Sequence, residues 1–248
     1  MAARSRRAAT GGRRPTATPP SGWRSWSATF PAPEHCQGRT GERRLAKTDE
    51  ELTRGPIPEN AVHLCVDMQN IFARDTPWHT PWMERVLPEV VRVVEAHPDR
   101  TVFTRFIPAA RPGEGRGTWK HYYEKWADLT LERLPPDMIE LVPELARFVP
   151  PAKVIDKKVY SPWFEPALTQ ELERRGTDTL VVTGGETDVC VLAAVLGAVD
   201  RGYRVIVGKD CLCSSSDTAH DASITLYRRR YGQQVEVASA STIVANWS

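Results

Sequence analysis

Long apolar runs are missing from this chain, and none reaches the roughly 20 residues that a bilayer-spanning helix needs. Charge of one sign is missing too. Lys and Arg number 33 against 31 Asp and Glu, a formal net charge of +2. That balance implies no general attraction to nucleic acid or to a membrane surface. Cysteine is sparse, with five residues in 248. Cys36, Cys65, Cys190, Cys211 and Cys213 form no framework of the kind that staples secreted domains. A reducing, cytoplasmic setting is expected. Cys211 and Cys213 are one residue apart, which is not the spacing of zinc or redox CxxC pairs. Among the six histidines no two are spaced i, i+2 or i, i+4, so no metal is expected. Acids are absent before Glu34. Residues 1–55, with Arg4, Arg6, Arg7, Arg13 and Arg14 among small and polar residues, lack the material for a core. They read as a disordered leader, a targeting segment or the product of an upstream start.

What is present is organised around Thr179 to Asp210. Leu180, Val181 and Val182 are a short apolar run closed by Gly184 and Gly185, as a buried parallel strand would be. Helical spacing follows from near Asp188, with Val189, Leu192, Ala193, Leu196 and Val199 on one face, and stops at Arg201-Gly202. A second run, Val205 to Val207, completes a βαβ unit that ends at Lys209-Asp210. Cys190 falls in the first helical turn, just beyond the carboxyl end of the strand. There the helix dipole is expected to lower its pKa. A small buried core residue is the other reading of the same position.

The rest of the chain alternates in the same way. Strands are expected at Ala61–Val66, Thr101–Phe106, Lys153–Ile155 and Gln234–Val237. Helices are expected over Trp82–Ala96, Met138–Phe148, Pro166–Arg175, Thr218–Arg229 and Ser241–Trp247. A long connection from Ile107 to about Pro135 carries Trp119, Tyr122, Tyr123 and Trp126, as a lid, a subunit contact or local core. The domain is placed at residues 56–248. The expected class is α/β, a three-layer, doubly wound, mostly parallel sheet with helices on both faces. In such a sheet the carboxyl ends of the strands share one edge. Asp67, Lys157 and Cys190 all stand at those ends.

At these residues the chain resembles the isochorismatase-like cysteine hydrolase superfamily. The resemblance rests on CVDMQNIF (Cys65 to Phe72), TVFTRF (Thr101 to Phe106), VIDKKVYSPWF (Val154 to Phe164) and the segment from Thr179 to Val207. It implies a catalytic triad of Asp67, Lys157 and Cys190, with Lys157 preferred over Lys158 by its spacing to Tyr160-Ser161. It also implies a cis peptide between Gly185 and Glu186 and an oxyanion hole from the backbone N–H groups of Glu186 and Cys190. The implied activity is hydrolysis of a C–N bond in a small amide or ureide through a Cys thioester, without cofactor, in a homo-oligomer. The Asp-x-His metal pair of nicotinamidases is missing, since Thr104-Arg105-Phe106 follows Phe103. Two other readings stand beside this one, an isochorismatase-type ether hydrolase and a non-catalytic thiol redox-sensing or interaction module. For the substrate pocket the candidates are Phe72, Arg105, Trp119 and Trp163. Arg116 is a further candidate for a carboxylate, and Trp78 and Trp82 for the pocket wall.

Overall fold

The structure is a computed structural model, and it describes residues 52–248. The leader expected over residues 1–55 lies, as far as residue 51, outside the described residues. Leu52 already packs against the core, and Thr53 Oγ1 and the Arg54 N–H each donate to Glu236 Oε1 at 3.1 Å.

Strand β1 (Val62–Val66) is buried at every position, as its largely apolar character requires of a central parallel strand, with His63 the one polar residue. Helix α1 (Asn70–Ala73) is a single turn, and α2 (Met83–Ala96) buries Met83, Val86, Val90, Val93 and Val94 along one stripe. Strand β2 (Thr101–Phe106) follows. Within the long connection lies α3 (Thr118–Lys125). The helix expected over Met138–Phe148 is not continuous. A 3₁₀ turn (Pro136–Ile139), a bridge from Leu141 to Gln69 and the short α4 (Pro143–Ala146) replace it. Pro143 lacks the N–H that a helix interior needs, so the helix starts there instead of running through. Then come β3 (Lys153–Lys157), α5 (Pro166–Arg174), β4 (Thr179–Gly185), α6 (Cys190–Asp200), β5 (Arg204–Cys213), α7 (Asp217–Arg229), β6 (Val235–Ala238) and α8 (Ala240–Asn246). Strand β5 runs past the expected end at Lys209-Asp210 and carries Cys211 and Cys213 inside it. Its register against β4 shifts between Val182 and Gly184, and that irregularity accommodates the extra length.

The six strands pair in the order β3-β2-β1-β4-β5-β6, and every pair is parallel. Helices α2 and α8 cover one face, around Met83, Val90, Phe103 and Ile243. Helices α5, α6 and α7 cover the other, around Leu168, Val191, Val195 and Tyr227. The order reverses between β1 and β4, and a doubly wound sheet opens its crevice at that point. Gly184 sits there with φ +105°, and a Cβ would collide with the Val66 carbonyl, so only glycine lets the two strands meet this closely. Over the strand ends a third cluster, Ile71, Trp78, Phe106, Tyr123, Leu129 and Met138, forms an aromatic cap. No helix among the described residues is long and apolar enough to cross a membrane.

Candidate active site

Three strand ends deliver the charged and sulfur groups. Asp67 follows β1 with φ 51°, a left-handed conformation that Asp tolerates better than most residues. Its N–H donates to the Thr104 carbonyl at 3.1 Å, and Thr104 Oγ1 donates to Asp67 Oδ1 at 2.6 Å. Lys157 ends β3 and is wholly buried. Its Nζ lies 2.6 Å from Asp67 Oδ2, 3.4 Å from Cys190 Sγ and 3.2 Å from the Val159 carbonyl, and 5.1 Å from the centre of the Phe106 ring. The contact with Oδ2 is an ion pair by distance, but no donor is aligned on that oxygen as a hydrogen bond. Lys158 lies elsewhere, on the wall of a hollow beside Arg116 and Trp119.

Burial acts on the titration of Lys157 and Cys190. On Lys157 it favours the neutral amine, but the Asp67 carboxylate and the Cys190 sulfur outweigh it and hold the pKa above the ordinary lysine value. On Cys190 burial is the largest influence and pushes the thiol well up. Asp67 adds to that push, and Lys157 opposes it without cancelling it. The lowered thiol pKa expected from the helix dipole is therefore corrected to a raised one. The ammonium is already neutralised by its carboxylate, and the sulfur is only 6% exposed. Burial thus favours the thiol form of Cys190.

The Gly185–Glu186 peptide is cis. The Glu186 carbonyl accepts from Val189 and Val191, both at 3.1 Å. The backbone N–H groups of Glu186 and Cys190 donate to no protein acceptor among the described residues. For Cys190 this follows from its place at the start of α6, where helical N–H groups have no intrahelical partner.

Cys190 lines a cavity of about 120 Å³ with Phe72, Trp78, Phe106, Tyr122, Tyr160, Glu186 and Val189. Of the expected pocket residues, Phe72 is on this wall. Arg105 is not, because its guanidinium is held by Asp156, directly across the β2–β3 register, and by Glu140. Trp119 stands behind the wall, edge-on to Tyr122 and against Tyr160 and Tyr123. Trp163 is structural. Its Nε1 donates to the Ala194 carbonyl at 2.8 Å, and its ring fills the space left by Gly197. Trp82 lies outside, against His220. A larger, open hollow of about 470 Å³ sits at the amino ends of β4 and β5, among Arg54, Thr179 and Arg204, and holds none of the three groups.

Sequence reasoning passed over Thr104 and Gln69. Thr104 was read only as the place where a metal ligand is missing, yet it orients Asp67. Gln69 knits the turn after β1 to the cap, accepting from the Phe106 N–H at 2.7 Å and donating to the Ile139 carbonyl at 2.7 Å. The signal for both was their place at strand ends beside Asp67. His63 is a satisfied core residue. It bonds Thr101 at 3.2 Å and Thr183 at 2.7 Å, and burial lowers its pKa to about 3. Among the described residues no three His, Cys, Asp or Glu converge as a metal site would require.

Fold and rim together define a doubly wound α/β protein with a thiol, an ammonium and a carboxylate meeting at its switch point. A family model, Isochorismatase domain, matches residues 61–239, and the chain belongs to that family. It is 30% identical over 82 residues to maleamate amidohydrolase of Pseudomonas putida, a match spanning 33% of this chain and 38% of that protein. Nicotinamidase 3 of Arabidopsis thaliana is 24% identical over 177 residues, or 71% of this chain and 84% of that one. A cysteine hydrolase from Pseudomonas syringae pv. phaseolicola superposes with a TM-score of 0.67 at 22% identity, covering 80% of this chain and 98% of its own. At that identity the likeness establishes a shared fold.

Proposed function

We propose that the protein is a cysteine hydrolase that cleaves the C–N bond of a small amide or ureide. The observation that carries this is the contact of Lys157 Nζ with both Asp67 Oδ2 and Cys190 Sγ, at 2.6 and 3.4 Å, beside a cavity that Cys190 lines. Because the thiol rests protonated, attack and proton transfer go together. Cys190 Sγ bonds to the carbonyl carbon while its proton passes to the Asp67 carboxylate. The carbonyl oxygen takes up negative charge between the N–H groups of Glu186 and Cys190, which have no protein acceptor to give up. Asp67 then returns the proton to the leaving nitrogen, and the C–N bond breaks to release ammonia or an amine. Lys157 stays an ammonium throughout. It keeps Asp67 in place and offsets charge on sulfur as it develops. Asp67 next takes a proton from water, whose oxygen attacks the thioester and frees the acid and the thiol.

The names of two relatives, maleamate amidohydrolase and nicotinamidase, fit C–N hydrolysis. The test is Cys190→Ala against a panel of amides and ureides, read by release of ammonia. Turnover is expected to fall by roughly 10⁴-fold or more, with the melting temperature nearly unchanged because a thiol leaves little cavity. In the unmodified protein, mass spectrometry of a quenched reaction should find the acyl group on Cys190. Normal turnover by the alanine variant would rule out the covalent route.

A further inference from the structure

The cavity wall carries one ionisable acid besides the triad and no free cation. Glu186 lines it together with Cys190 and six aromatic or apolar residues. Its Oε2 accepts from Ser215 Oγ at 2.8 Å and from the Ser215 N–H at 3.4 Å. Ser214 Oγ, which also acts on this carboxyl, is aligned on Asp188 Oδ1 at 2.5 Å, and Glu186 Oε1 has no aligned hydrogen bond and no ion pair among the described residues. Among the described residues, the four Lys and Arg side chains nearest the wall are committed or turned elsewhere. Lys157 serves Asp67, Arg105 is clamped by Asp156 and Glu140, and Arg116 and Lys158 open onto a separate hollow behind Trp119 and Tyr123. A substrate carboxylate entering here would meet a fixed carboxylate and nothing to pair with, in a small aromatic space of low dielectric. A substrate amino, ammonium or ureido group would meet an acceptor with an open lone pair. Aromatic faces add attraction for a cation.

Resting on the hydrolase reading above, we infer that Glu186 selects the substrate. It favours small amides whose far end donates hydrogen bonds or bears positive charge, and it rejects those whose far end is a carboxylate. Glu186 thus has two parts. Its backbone N–H faces the reacting carbonyl, and its side chain reads the other end of the ligand. Burial raises the Glu186 carboxyl above its ordinary range, and the Ser215 bonds pull it partly back. A donor from the ligand would complete that compensation. The cavity, about 120 Å³, is well below the roughly 300–1,000 Å³ of sites for drug-sized ligands, so the ligand is small.

The test uses three amides of matched length, 3-aminopropanamide, butyramide and succinamate, which end in an ammonium, a methyl and a carboxylate. Binding is measured by calorimetry on the full chain carrying Cys190→Ala, where no turnover interferes. The expected order is ammonium, then methyl, then carboxylate, with roughly 100-fold between the first and last. Adding Glu186→Gln should compress that range to within about 10-fold, chiefly by improving succinamate. Equal binding of the three, the reverse order, or no binding of any in the millimolar range would overturn the inference. The protein with its thiol intact is then assayed for acylation of Cys190 by the same amides. Correct charge preference without acylation would leave the selectivity standing and remove the hydrolase reading. Acylation with the reverse preference would do the opposite.

Discussion

Strand β3 has a lysine at each end, and the two lead different lives. Lys153, at the amino end, is 45% exposed and shares Glu171 with Arg174 and Arg175. Lys157, at the carboxyl end four residues on, is 0% exposed and faces one carboxylate, 1% exposed, and one thiol. Both are ion pairs, but water and spare cations surround the first and neither reaches the second. At the amino end a lost partner is replaced. At the carboxyl end, under the aromatic cap, it is not. A carboxylate surrounded by three cations is locked as a carboxylate. The Asp67 carboxylate faces a single ammonium and a sulfur.

Truncating each lysine should separate them most widely. Lys157→Met leaves Asp67 charged and unpaired in the interior, which should cost on the order of 3–5 kcal/mol. Lys153→Met leaves Glu171 with two arginines and should cost about 0–1 kcal/mol. Urea unfolding of both variants measures the difference, and equal losses would break the contrast. Hydrolysis should vanish in the first and persist in the second.

A smaller effect is expected at the partner of the buried acid. Thr104→Val removes the donor at 2.6 Å from Asp67 Oδ1 while keeping the shape. A buried acceptor that loses its donor should cost about 1–3 kcal/mol. Turnover should fall roughly 10- to 100-fold, mainly in kcat, because Thr104 orients Asp67 and touches no substrate. Thr104→Ser should restore most of it. A KM effect alone would mean that Thr104 shapes the pocket and does not position the base.

The smallest effect sharpens the exposed side. Burial alone would raise the Glu171 carboxyl, but hydrogen bonds from Arg174, Lys153 and Arg175 outweigh it and bring the pKa to about 2, from an ordinary 4.5. A depressed carboxylate contributes stability that is complete above the unfolded value and is lost as pH falls through the folded one. The melting-temperature gap between the unmodified protein and Glu171→Gln should therefore be constant above about pH 4.5 and close between there and about pH 2. A gap that is flat down to pH 2 would show that the three cations contribute no net stabilisation.

Much of this was open to reading from the residues. The runs at Leu64–Val66 and Leu180–Val182 are apolar without alternation, and only a strand covered on both faces needs that. Asp67 and Cys190 follow such strands, Lys157 closes the more polar edge strand β3, and parallel connection brings the three to one rim. The expected helix over Met138–Phe148 shows the limit, because the apolar spacing was right and Pro143 overrode it. The pocket shows a second limit. Trp119 and Trp163 were as plausible as Tyr122 and Tyr160 by type and position, since any large aromatic serves a wall or a core.

Alone, then, the sequence determined the parallel α/β class, the family and the three groups at the strand ends, because hydrophobic periodicity and right-handed crossovers are local and nearly universal rules. The tertiary structure decided the rest. It set Arg105 opposite Asp156 across two strands, and so removed the cation that the sequence offered for a substrate carboxylate. It buried Cys190 beside an ammonium already paired with Asp67, and so raised a thiol pKa that the helix dipole was expected to lower. Both outcomes depend on charges brought together from distant parts of the chain in a medium of low dielectric, and no local pattern encodes that balance.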